Sequence, residues 1–153
     1  MEELLKIENL SVSIASPMGK VQAVRDVSFS LYPGEVLAIV GESGCGKSML
    51  CKSIMKLLPK SAKIESGKIY ANGSDITNYS DKDMRKLRGK LFSMIFQDPM
   101  TALNPTIPIG KQIAEAILIH EPKLPKEEVY NRVIQLMELV GIQQPHERYQ
   151  LYP

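Results

Sequence analysis

The sequence lacks the features that mark several classes of protein. It has only two cysteines, Cys45 and Cys51, which form neither a CxxC pair nor a metal-ligand cluster, and we interpret both as small structural residues. No apolar run approaches the length of a membrane span, and the N-terminus MEELLKIENL lacks the sustained apolar stretch of a secretory signal. These absences predict a cytoplasmic protein without a membrane-spanning segment.

A dominant charge of one sign is also missing. Nineteen Lys and Arg residues stand against seventeen Asp and Glu residues, which leaves a formal net charge of +2. A net charge this close to zero gives no argument for nucleic acid or an anionic membrane as the main partner. The 153 residues, of which 44% are hydrophobic, suffice for a domain with a real core, so disorder is not expected.

Several stretches have the patterns of β-strands. Apolar residues alternate along residues 4–14 and 21–31, which predicts two strands with a turn at ASPMGK between them. The continuous apolar run EVLAIV at 35–40 is typical of a strand that is covered on both faces in a parallel sheet. The run KLFSMIF at 90–96 predicts another apolar strand. Residues 62–77 predict a further pair of strands, with turns at Ser66-Gly67 and Asn72-Gly73.

Helical periodicity marks four other stretches. They are residues 47–58, 80–89, 110–120 and 125–141. In the second, Ser80 is a predicted N-cap, and in the last, Gly141 is a predicted stop. The last helix carries an apolar stripe that we interpret as core packing, formed by Val129, Val133, Leu136, Met137 and Val140.

The segment GESGCGKS, residues 41–48, lies between an apolar run and a predicted helix. It fits the pattern G-x-x-x-x-G-K-[ST] at every required position. Glycines let backbone N–H groups approach a phosphate, and the positive end of the following helix adds to the attraction. A lysine at this spacing reaches the β- and γ-phosphates, and the next hydroxyl can ligate Mg²⁺. We therefore predict a site for a nucleoside triphosphate and Mg²⁺ in which Ser48 binds the metal and the nucleotide contacts Gly41, Glu42, Ser43, Gly44, Cys45, Gly46, Lys47, Ser48 and Met49.

A second motif, FQDPMTALNP, follows at residues 96–105. The amide of Gln97 has both donor and acceptor atoms, which suits it to orient a water molecule or a metal-bound oxygen without adding charge. With the phosphate loop before it, this motif resembles the ATP-binding subunits of ABC transporters. The resemblance implies that Gln97 is a catalytic residue that contacts Mg²⁺ and the attacking water, and that it links the nucleotide site to the transmembrane subunits.

The resemblance covers essentially the whole chain and implies a fold and an assembly. The fold class is α/β, a P-loop NTPase with an antiparallel flank and a parallel core in one mixed sheet. Residues 1–106 correspond to the ATP-binding core, and residues 107–153 to the start of a helical subdomain. The segments LYPGEVLAIVGESGCGKS and FQDPMTALNP are most similar to those of the subunits that serve importers of oligopeptides, dipeptides or nickel. The implied partners are transmembrane permease subunits and a second ATP-binding subunit at the cytoplasmic face of the cell membrane, with no nucleic acid and no direct membrane insertion.

The chain departs from the family pattern in two places. The turn between the first two strands has no aromatic residue to stack on adenine, so Met18 or Val24 is left to supply a weaker apolar contact. The motifs that follow the helical subdomain in the family, including the LSGGQ-type motif and the catalytic glutamate, do not occur in the sequence. We therefore expect an N-terminal fragment that binds MgATP but does not turn it over.

Three other functions fit the phosphate loop taken alone. A soluble P-loop kinase, a non-transport ABC ATPase acting on DNA or ribosomes, and a fragment that serves only as an interaction module would each contain it. Gln97 and the residues after it argue against the kinase. The even charge balance disfavours the enzyme acting on DNA.

Overall fold

The computed structural model describes residues 2–97 and 102–153. The chain forms two compact units, Met1–Arg88 and Gly89–Pro153. Among the described residues, no helix combines the length and the apolar character that crossing a membrane requires.

The first unit is built on a four-stranded antiparallel sheet. The strands are β1 (Leu5–Ser16), β2 (Gly19–Leu31), β3 (Ala62–Ala71) and β4 (Ser74–Asp75). Their order is β2-β1-β3-β4, so the first hairpin pairs through β1 with the second. Ile7, Leu10 and Val12 of β1 are buried, and the alternation of buried positions shifts by one residue between Ile7 and Leu10, where the register of β1 is irregular.

The predicted turn at Ser66-Gly67 is wrong, because β3 continues through it. Gly67 has a left-handed backbone (φ 94°), and a Cβ there would lie 2.5 Å from the carbonyl oxygen of Asn9 on β1. Asn9 itself is left-handed, and its side-chain amide donates to Asp26 on β2 over 2.9 Å. Adjacent irregularities in three strands therefore distort the sheet here without ending it. The predicted turn at Asn72-Gly73 is confirmed.

Two short helices complete the first unit. The helix α1 (Lys47–Ile54) begins where the sequence predicts but ends four residues earlier, and Lys56 just beyond it has a left-handed backbone. The helix α2 (Asp81–Leu87) has the predicted N-cap, since Ser80 Oγ accepts a hydrogen bond from the Asp83 N–H over 3.3 Å.

The two runs predicted as apolar strands do not form strands. In the part of the chain that the structure describes, residues 35–40 make no ladder with any strand, and within residues 90–96 only Phe92 forms an isolated bridge. Their side chains are correspondingly exposed, with 93% of Val36, 90% of Val40 and 99% of Ile95 open to solvent. A strand needs a neighbour for its N–H and C=O groups, and an apolar run cannot supply one itself. Among the described residues, the antiparallel flank of the predicted sheet is therefore present, whereas the two apolar runs add no parallel strands to it.

The second unit is helical. The helices α3 (Ile109–Leu118) and α4 (Lys126–Leu139) pack together, and the short α5 (Pro145–Arg148) follows. The predicted stripe on α4 is confirmed at Val129, Val133 and Met137, which are buried, but Leu136 and Val140 are exposed. The core of this unit consists of Ala114, Val129, Val133 and Met137, with Ile113, Ile117, Leu124, Ile142 and Tyr149 around it.

Candidate nucleotide-binding loop

Residues 41–46 form a largely exposed loop that leads directly into α1, whose first residues are Lys47 and Ser48. Gly44 and Gly46 both have left-handed backbones, with φ of 81° and 100°. Gly46 is the N-cap of α1, and its carbonyl accepts the hydrogen bond of the Leu50 N–H over 2.9 Å. The N–H groups of the first turn before Leu50 have no acceptor within the helix, so the loop ends on the positive end of a helix.

The side chain of Lys47 turns back onto the loop. Its Nζ donates to the carbonyl oxygens of Gly41 and Glu42 over 2.7 and 2.6 Å, and lies 3.4 Å from the Sγ of Cys45. One positive charge is thus surrounded by the loop beside the helix N-terminus. This arrangement suits a negatively charged ligand, because the charge and the free N–H groups act in the same direction.

Close packing against the backbone explains why position 46 of the loop is glycine. A Cβ at Gly46 would overlap the carbonyl oxygen of Ala23 and would lie 3.1 Å from its carbonyl carbon. The backbone of β2 therefore supports the loop from one side. A Cβ at Gly41 would lie 2.8 Å from the Sγ of Cys45, but this sulfur ends an exposed side chain that can move aside, so position 41 is less confined than position 46. The motif predicted glycine for ligand access, but the contact with β2 could not be read from the sequence.

The two cysteines have different surroundings. Both are free, and Cys51 on α1 is half-buried, which agrees with a structural role. Cys45 is exposed in the loop beside Lys47. The interpretation of Cys45 as a small packing residue is therefore wrong, because the chain turns its side chain over the loop and not into the core.

A triphosphate with its metal fits the groups that the loop presents. Exposed glycine backbone, the ammonium of Lys47 and the N-terminus of α1 all favour phosphate oxygens. Ser48 is exposed in the first turn of α1, where its hydroxyl is accessible to a metal ion. The described residues contain no group of three or more His, Cys, Asp or Glu side chains that could hold a metal ion. Mg²⁺ would thus depend on the Ser48 hydroxyl, other oxygen ligands and the oxygens of the nucleotide.

Gln97 belongs to the second unit and is exposed. The next four residues of its motif, 98–101, lie outside the described residues. Gln112 on α3 makes three hydrogen bonds to the backbone of residues 104–107, which follow the motif. Its Oε1 accepts from the Asn104 N–H, and its Nε2 donates to the carbonyl oxygens of Asn104 and Ile107. The sequence does not predict this role of Gln112, because a polar residue near a helix start carries no signal of its partner.

The two residues expected to contact a base differ in exposure. Met18 at the tip of the first hairpin is fully exposed, whereas Val24 on β2 is buried. The Cγ2 of Val24 lies 3.9 Å from the position of a Cβ at Gly46. Val24 therefore packs beneath the loop, and Met18 is the more accessible of the two.

Comparison with known proteins places the loop in a family context. The family model described as ABC transporter matches residues 24–152. The dipeptide transport ATP-binding protein DppD of Bacillus subtilis is 53% identical over all of this chain and 46% of its own length. The oligopeptide transport ATP-binding protein OppD of the same organism is 48% identical over 98% of this chain and 42% of its own length. The chain thus spans less than half the length of these relatives.

Solved structures show the same fold. The ATP-binding cassette MJ0796, as a dimer bound to ADP and Pi, matches with a TM-score of 0.80 at 19% identity, over 97% of this chain and 61% of that one. The cbiO1 protein of Clostridium perfringens, part of the ABC transporter complex cbiONQ, matches with a TM-score of 0.67 at 28% identity, over 94% of this chain and 52% of its own.

Proposed function

Because this chain belongs to the ABC transporter family and has the fold of an ATP-binding cassette, we propose that residues 41–49 bind MgATP. The observation that carries the proposal is the position of Lys47, whose ammonium group is enclosed by the loop at the start of α1. The solved cassette bound to ADP and Pi supports a nucleotide as the ligand class.

Each part of the loop has its own task in this proposal. The backbone from Gly41 to Gly46 surrounds the phosphates, and the first-turn N–H groups up to Met49 donate to them. Lys47 neutralises charge on the β- and γ-phosphates, and Ser48 ligates the metal. When bound, Mg²⁺ would offset part of the negative charge of the phosphates. Gln97 is proposed as the second protein ligand of the metal and as the residue that orients water.

The whole protein is proposed to energise the import of peptides, or of nickel, by an ABC transporter. The relatives are named as dipeptide and oligopeptide transport ATP-binding proteins, which supports the peptide assignment. Its partners would be permease subunits at the cytoplasmic face of the membrane and a second ATP-binding subunit. The dimeric form of MJ0796 supports the second subunit. Residues 1–106 are proposed as the ATP-binding core and residues 107–153 as the start of a helical subdomain.

The 153-residue chain should bind one MgATP without sustained hydrolysis. Lowering the barrier requires a carboxylate that orients water and donors beyond the γ-phosphate, and the family resemblance assigns both to motifs that this sequence does not contain. Calorimetry measures binding, and a steady-state assay measures phosphate release. Failure to bind MgATP would contradict the proposed function. Turnover that disappears in Lys47→Ala would instead show that these residues include a base.

Replacing Gln97 by alanine should separate binding from transport. In a full-length protein with this sequence, MgATP affinity should change less than about threefold, because the phosphate-binding groups remain. Transport should fall at least about tenfold, because water and metal lose their proposed ligand. Affinity and vesicle uptake are measured on the same preparations, with the exposed Gln143→Ala as the matched control. Equal loss of binding and transport would refute this role.

A further inference from the structure

We propose that Arg88 is a positioning residue for the nucleotide-binding loop. It holds the C-terminal end of α1, the helix whose N-terminal end carries Gly46 and Lys47. This inference rests on the proposed function of that loop and adds a residue far from the loop in sequence.

The guanidinium of Arg88 binds the backbone at the end of α1. Its Nε donates to the carbonyl oxygen of Met55 over 3.1 Å, and its Nη2 donates to the carbonyl oxygens of Met55 and Lys56 over 3.0 and 3.1 Å. These carbonyls follow Ile54, the last residue of α1. The Arg88 side chain is only 21% exposed. These carbonyls lie just past the last turn of α1, at the negative end of the helix, so a partly buried planar cation suits them.

Two further contacts fix this arrangement. Nη1 of Arg88 pairs with the Asp81 carboxylate over 2.8 Å, and this hydrogen bond lowers the pKa of Asp81, so that it remains charged at neutral pH. The Nζ of Lys56, which immediately follows Met55, donates to the carbonyl oxygen of Tyr79 over 3.0 Å. The end of α1 is therefore tied both to α2 and to the segment before it.

Because α1 is short, a displacement of its C-terminal end also moves its N-terminal end. The eight residues of α1 span about 12 Å, and the buried Leu50 and Ile54 pack it into the unit. Packing of apolar side chains limits how far a helix lifts, but hydrogen bonds at its end define its position along its axis. Without Arg88, α1 is expected to shift, and the N–H groups and Lys47 at its start would shift relative to Ala23 on β2.

The decisive experiment compares MgATP affinities by calorimetry on the 153-residue chain. For Arg88→Ala we expect binding about three- to tenfold weaker with one site per chain, and for Arg88→Lys an intermediate loss, because lysine keeps the charge but not the planar fork. Arg85→Ala is the matched control. Arg85 pairs with the same Asp81 over 2.9 Å but is 72% exposed, so its removal should leave the affinity unchanged.

A second control separates positioning from general stability. Ile69→Val removes one buried methyl group from β3 and should lower the melting temperature while every residue of α1 and of the loop stays unchanged, so its MgATP affinity should equal that of the wild type. Equal weakening by Ile69→Val and Arg88→Ala would overturn the inference, as would wild-type affinity in Arg88→Ala. If Arg88→Ala fails to fold, the MgATP affinity of Arg88→Lys is compared with those of Ile69→Val and the wild type, and the same outcomes decide. Absence of binding by the wild type would overturn the proposed function itself.

Discussion

Replacing Lys47 by alanine should abolish tight MgATP binding, with a loss of roughly a hundredfold or more. Charge-assisted hydrogen bonds to phosphate are the strongest polar contacts available to a loop, and removing one partner costs on the order of 2–3 kcal/mol. The substitution also removes the hydrogen bonds that Nζ donates to Gly41 and Glu42. The loop therefore loses both its cation and the contacts that hold its shape.

Calorimetry with MgATP measures this effect directly. Lys52→Ala is the matched control, because Lys52 lies in the last turn of the same helix and its removal changes the net charge equally. Its affinity should stay within about twofold of the wild type. An affinity for Lys47→Ala equal to that of Lys52→Ala would show that Lys47 does not contact the nucleotide.

Replacing Gly46 by alanine should damage both the fold and the site. The new methyl group would overlap the backbone carbonyl of Ala23, and a carbonyl within β2 cannot rotate aside as a flexible side chain can. The left-handed backbone at φ 100° adds its own cost for any residue with a Cβ. Together these effects should lower the free energy of unfolding by about 2–5 kcal/mol. MgATP binding should be lost, because Lys47 is the next residue.

Urea denaturation measures the stability change, and Gly44→Ala provides the comparison. Gly44 also has a left-handed backbone, but a Cβ there would meet nothing within 4 Å. It should therefore show only the conformational cost, about 1 kcal/mol. If both variants lose the same stability, the close approach of Gly46 to β2 does not contribute to folding.

Local chemistry made part of this molecule predictable. The start of α1 follows from the glycine, lysine and serine spacing, and the start of α2 follows from Ser80, whose hydroxyl caps the N–H three residues later. The Asn72-Gly73 turn is similar, because two adjacent residues determine its backbone. In each case the partners lie within a few positions in the sequence, so the pattern and the structure depend on the same residues.

Tertiary structure alone decided the rest. The apolar runs 35–40 and 93–96 show that a sequence can encode the preference for burial without encoding the strand that satisfies it. Ser66-Gly67 has the composition of a turn, yet its pairing with β1 keeps it inside a strand. A Cβ at Gly46 would overlap Ala23, which lies 23 positions earlier in the sequence. Arg88 contacts the end of α1, which lies at least 32 positions earlier. Such contacts depend on how strands and helices pack, and neither partner carries a local signal of the other.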